Sequence, residues 1–165
     1  MALSDEIKDK ELEDIQDIDL SETRRKNIRI DGDNNRIIKL NVTDMGIFAR
    51  LKEEYPKLKK YSDEAVAKLQ EAEDSEDDES TLNALADLKS LDNKMRDSLD
   101  RIFDYHVSEV CAPSGTMYDP VNGKLRYEHI IEVLSGLYEN NFKQEFAAMQ
   151  SRVEKHTSKY IKPKK

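Results

Sequence analysis

The chain has 165 residues and a mass of 19.1 kDa, the size of one domain with or without tails. Charged residues make up 38% and hydrophobic ones 37%, so one compact core is within reach while much of the chain must be solvated. A formal net charge of -8 argues against a general nucleic-acid binder, no apolar run reaches the roughly 20 residues of a spanning helix, and the lone Cys111 cannot form an internal disulfide.

Met1 to Glu6 has neither the basic region nor the apolar stretch of a secretory signal, so a cytoplasmic protein is expected. Residues 1–23 read as an acidic arm. Nine carboxylates between Asp5 and Glu22 stand against only Lys8 and Lys10, with Ile7, Leu12, Ile15, Ile18 and Leu20 loosely spaced among them. Such a segment is either a solubilising tail or an amphipathic piece that orders only against something else.

Residues 24–161 form the expected folded domain. Ile28 and Ile30 alternate with polar residues, Gly32-Asp33-Asn34-Asn35 supplies turn chemistry, and Ile38, Leu40 and Val42 alternate again. This is a β-hairpin with one apolar face, marginal alone and in need of a helix across it. Helical periodicity follows: Thr43-Asp44 as N-cap pair, then Met45, Phe48, Leu51 and Tyr55. Pro56 predicts a break or kink, and Ser62-Asp63-Glu64 a second start. Residues 71–79 read as an acidic linker, after which Ser80 caps a long helix with the stripe Leu82, Leu85, Leu88, Leu91, Met95, Leu99, Ile102 and Phe103. Ala112-Pro113-Ser114-Gly115 ends the helical run, and Cys111 to Lys124 is expected to be a loop. A last helix starts near Leu125-Arg126 with the stripe Tyr127, Ile130, Ile131, Leu134, Tyr138, Phe142, Phe146, Met149 and Val153, and Asn140-Asn141 predicts a break or bend in it. Residues 162–165 form a basic tail. The fold class is therefore mainly α: an N-terminal β-hairpin packed on a small bundle of three to four helices.

Catalytic and ligand-binding patterns fail one by one. His106, His129 and His156 lie on different segments, and His106 with Cys111 has no second pair to complete a zinc site. His129 and Glu132, one turn apart, suit an ordinary solvated helix face. Asp31-Gly32-Asp33-Asn34-Asn35 resembles the start of a calcium loop, but Arg36 stands where the loop glycine belongs and no glutamate closes the set. No glycine-rich phosphate loop or nucleophile elbow is present, and nothing beside Cys111 would activate its thiol. The expectation is no enzyme, no catalytic residues, no cofactor and no metal. An interaction surface is the better candidate. The last stripe outruns what a hairpin and two helices should cover, which makes Phe142, Phe146 and Met149 the expected partner-facing residues.

The hairpin Asn27–Asp31 to Ile38–Asp44, the helix with Phe48 and Leu51, the segment Leu91-Asp92-Asn93-Lys94-Met95-Arg96-Asp97-Ser98-Leu99-Asp100-Arg101-Ile102-Phe103 and the closing Tyr127-Glu128-His129-Ile130-Ile131 occur in an order that resembles the tail assembly chaperones of long-tailed bacteriophages of Gram-positive hosts. The resemblance spans about Asn27 to Ile161. It implies a non-enzymatic factor in the host cytoplasm, absent from the mature virion, whose partners are the tape measure protein and tail-tube protein, with no nucleic acid and no membrane. It carries over no site residue. The acidic start and basic end make the chain dipolar, which allows intramolecular contact or head-to-tail homo-oligomer association, with solvated ends the more common explanation. The alternative is an acidic regulatory adaptor or inhibitor that binds a basic host or phage protein through the arm.

Overall fold

The computed structural model describes residues 14–18 and 25–158, with side chains as far as Arg152. Most of the 1–23 arm and the 162–165 tail lie outside the described residues. The fold is mainly helical, with an N-terminal antiparallel hairpin followed by four helices, as the apolar periodicities predict. Strands β1 (Lys26–Arg29) and β2 (Ile37–Leu40) pair with Ile28 opposite Ile38. Asp31 and Gly32 take positive φ at 53° and 70° in the turn between them, a backbone that glycine adopts freely and aspartate tolerates.

Helix α1 spans Ile47–Asp74 without interruption, so Pro56 neither splits it nor starts a second helix at Ser62. Pro56 is exposed, and so is Lys52, whose carbonyl loses its helical donor to the ring. Water can satisfy that carbonyl, which reduces the proline's cost. The expected linker over 71–79 is also shorter. Only residues 75–77 separate α1 from α2 (Asp78–Phe103). Asp77 rather than Ser80 is the cap: its carboxylate accepts from the Glu79 N–H at 3.3 Å and from the Ser80 hydroxyl at 3.1 Å. Glutamates and aspartates at either side of the turn enter the helices because both ends are open to water and Asp78 and Glu79 suit a helix N-terminus.

Helix α2 ends at Asp104, which has left-handed φ of 50°. A short helix α3 (Val107–Cys111) follows where the sequence suggested only a run-out, and strands β3 (Pro120–Val121) and β4 (Lys124–Leu125) form a small hairpin within the expected loop. Three α2 side chains set one turn apart organise this region. Asp92 accepts from the Met117 N–H at 2.7 Å, Arg96 donates to the Ala112 and Gly115 carbonyls at 3.0 and 2.9 Å, and Asp100 accepts from the Ser108 N–H at 2.8 Å. From the other side Arg36 donates to the Val110 and Cys111 carbonyls, both at 2.9 Å, and so satisfies the end of α3. Helix α4 (Arg126–Ser158) closes the fold and is unbroken at Asn140-Asn141, so of the expected break or bend the break does not occur.

The main core lies where the β1–β2 hairpin meets the helices. Ile38, Leu40, Ile47, Leu58, Met95, Leu99, Ile102, Phe103, Tyr127 and Tyr138 are among its members. A second, smaller cluster of Ala65, Leu88 and Leu91 sits further along the α1–α2 pair. Beyond it Leu82 and Leu85 are exposed, although their spacing placed them in the stripe, and Ala84 is buried instead.

Candidate protein-binding site

From Glu139 to Arg152, α4 has one half-buried residue, Asn141, and is otherwise exposed. Its last firm anchor is Tyr138, buried against Phe103 with ring centres 6.1 Å apart. Burial pushes the Tyr138 phenol up to about 12, so it stays neutral. Past this anchor Phe142, Phe146 and Met149 follow at steps of four and three, a spacing that keeps them on one side of a helix. Their exposures are 40%, 47% and 58%. The two phenylalanine rings lie 5.7 Å apart. Thus the three residues expected to face a partner share one strip, and the rest of the last stripe up to Tyr138 is core.

Met45, which the sequence reading took as the first apolar residue of a helix, lies just before α1 and joins this strip. With Thr43, Asn141 and Glu145 it completes an open groove of about 450 Å³ whose floor is Phe142, Phe146 and Met149. Thr43, Asn141 and Glu145 give the apolar floor a polar rim. No sequence periodicity links Met45 to a helix about a hundred residues away, so only the folded chain brings them together.

The loop that presents Met45 is held by charge. Asp44 accepts from the Gly46 N–H at 2.9 Å and from Arg50 at 2.8 Å, and Arg50 also donates to the Ile102 carbonyl at 2.8 Å. Burial alone would raise the Asp44 carboxyl, but the Arg50 and Gly46 hydrogen bonds outweigh it and hold it below the usual carboxylate range. At the same end of the molecule Arg25 donates to the Lys39 carbonyl at 3.0 Å and to the Asp104 carboxylate at 3.1 Å. Arg25, just before β1, therefore sits close to the loop that presents Met45.

Two other apolar surfaces are exposed. One groove of about 610 Å³ runs between the free edge of β1 and the first half of α4, with Ile28, Ile30, Val133 and Leu137 in its lining. Its arginines are engaged: Arg36 with Asp31 and the α3 carbonyls, and Arg126 with the Ser114 carbonyl. The other surface carries Val66, Leu69, Leu82 and Leu85 near the turn of the α1–α2 pair. Neither combines an aromatic pair with a contiguous floor as the α4 strip does.

The residues weighed for chemistry are dispersed. His106 stacks on Tyr105 at 4.0 Å, and Glu132 pairs with Lys124 rather than forming a site with His129. Burial pushes the Cys111 thiol up to about 11, which leaves it a poor nucleophile near neutral pH. Among the described residues no group of three or more His, Cys, Asp or Glu side chains is placed to hold a metal ion, and no helix is long and apolar enough to cross a membrane. The chain matches no family model, no curated protein and no solved structure, so its function is argued from these residues.

Proposed function

We infer that the protein is a non-enzymatic assembly chaperone of the phage-tail kind, which holds a long helical tape measure protein soluble while tail-tube subunits gather around it. The observation that carries this reading is the exposed strip Phe142, Phe146 and Met149 with Met45 at its foot. An amphipathic client helix has apolar residues at the same three- and four-residue spacing, and its ridge fits a groove of this form. Rings left nearly half in water gain the rest of their burial only when a client covers them, on the order of 1 kcal/mol for each side chain. The -8 net charge of the chain keeps such a complex soluble.

The test is co-expression of the tagged full chain with the tape measure protein and with the tube protein of the same gene set. The tape measure protein should be recovered soluble with the tag, and Phe142→Ser with Phe146→Ser should abolish recovery. Failure of both partners to co-purify, when each is present in the lysate, overturns the reading. So does exclusive recovery of a basic protein that is lost on removing residues 1–22 and weakened steeply by salt, the behaviour of an acidic adaptor.

A further inference from the structure

We propose that the chain's own acidic arm, residues 4–18, docks on the α4 strip and covers it until a client displaces the arm. The inference rests on the reading of the strip as the binding site and adds the device that keeps it from binding indiscriminately. Three observations point to this occupant.

The first is position. The arm joins the fold at Arg25, which is tied to Asp104 and the Lys39 carbonyl. Arg25, Asp44 and Asp104 are all within electrostatic reach of the Tyr138 hydroxyl, one turn before Phe142. Arg25 thus brings the chain into the fold near the foot of the strip. Residues 14–18 are not helical in this structure, and if residues 4–18 take up helix on docking they would span roughly 22 Å, about the length of α4 from Phe142 to Ser158.

The second is charge. Between Arg152 and Lys165 six cations stand against only Glu154, whereas residues 4–18 carry seven carboxylates against two lysines. An arm that leaves Arg25 and runs antiparallel to α4 brings Asp5, Glu6 and Asp9 beside this basic end.

The third is unmet burial on the arm itself. Ile15 and Ile18, a turn apart in helical spacing, are 57% and 71% exposed. Phe142 and Phe146 likewise stand largely without cover, at 40% and 47% exposure. Joining the two surfaces removes both from water, and the covalent tether raises the effective concentration of the arm into the millimolar range.

The experiment uses the full chain with a nitroxide label at Ser4→Cys and carbon-13 methyl-labelled methionines, read by paramagnetic broadening. Cys111 is half-buried and lines the larger groove, so it is replaced in a Cys111→Ala background to leave Ser4→Cys as the only thiol, and Met95 and Met117 in the core serve as internal references. The Met149 methyl signal should fall about twofold or more relative to the core methionines, as expected for an arm docked at millimolar effective concentration. The loss should vanish in Ile15→Ser/Ile18→Ser and shrink in about 0.5 M salt. A Met149 signal untouched by the label overturns the proposal. A loss that persists in Ile15→Ser/Ile18→Ser at high salt, or one that appears only when spin-labelled and isotope-labelled molecules are mixed, also overturns it. No client is present, so docking without chaperone activity and chaperone activity without docking are separate results.

Discussion

Glu54 is the most heavily engaged charge in the interior. Its carboxylate accepts from the Ser98 hydroxyl at 2.6 Å, from Arg101 at 3.1 Å and from Lys57 at 3.4 Å, which ties α1 to α2. Burial alone would raise this carboxyl, but the Arg101 and Ser98 hydrogen bonds prevail and lower it. Asp44 and Asp119 are lowered in the same manner, the first by Arg50 and the second by Thr116 and Arg126. In all three the unfolded chain takes up protons at a higher pH than the folded one. Their stabilisation is therefore complete above the ordinary values of 3.8 and 4.5 and is lost as pH falls through the lowered ones. Asp100 works in the opposite sense, since burial raises it and the folded state gains as it protonates. The exposed Glu132 is lowered too, by its hydrogen bond from Lys124, so with four groups against one, stability followed by urea unfolding should drop as pH falls from about 5 towards 3. Glu54→Gln should cost about 1–3 kcal/mol at pH 7 and make that decline shallower. An unchanged slope would show that Glu54 is not lowered in the folded state. None of this was legible in the sequence, where Glu54 is one acid among thirty-five.

At the scale of elements, the pairing of α1 with α2 decides which apolar residues become core. The sequence stripe from Leu82 to Phe103 reads as one face because its steps are all three and four or one. Two long helices, however, share a narrower seam than such a stripe. Near the α1–α2 turn that seam is filled by Ala65 and Ala84, small residues that bring the helices close and leave Leu82 and Leu85 at the side. The hairpin, the last helix and the main core members were readable because a period of two or of 3.6 survives any detail of packing. The split at Pro56 and the full length of the 71–79 linker do not occur, because a proline or a run of acids on an exposed face leaves its freed backbone groups and charges to water. Leu88→Ala and Leu91→Ala should each cost about 2–4 kcal/mol, through lost burial and the cavity left behind. Leu82→Ala and Leu85→Ala should stay within about 0.5 kcal/mol of the parent. Urea unfolding at constant m-value separates the two pairs, and equal costs would place Leu82 and Leu85 in a packed interface.

The whole molecule divides into a body that supplies stability and a largely exposed helix half that carries the strip proposed to bind a client. Tyr138 marks the boundary: its ring is buried against Phe103, and Phe142, one turn further on, is already 40% exposed. Of the binding strip the sequence could give the α4 residues, since a stripe longer than the available core must emerge somewhere, but Met45 needed the tertiary fold. This division predicts that folding and binding are separable by substitution. Phenylalanine and serine have similar helix propensities, and neither Phe142 nor Phe146 is deeply buried. Phe142→Ser with Phe146→Ser should therefore lower stability by no more than about 2 kcal/mol, and the melting temperature by only a few degrees for a chain of this size. Tyr138→Ala, only four residues before Phe142, should cost about 3 kcal/mol or more because it empties a packed site. Calorimetry and co-purification on the same preparations should then give a melting point close to the parent with no client for the double variant, and early melting for Tyr138→Ala. If the double variant melts as early as Tyr138→Ala, the far half of α4 is bearing on the core, and its apolar strip is holding the fold together rather than waiting for a partner.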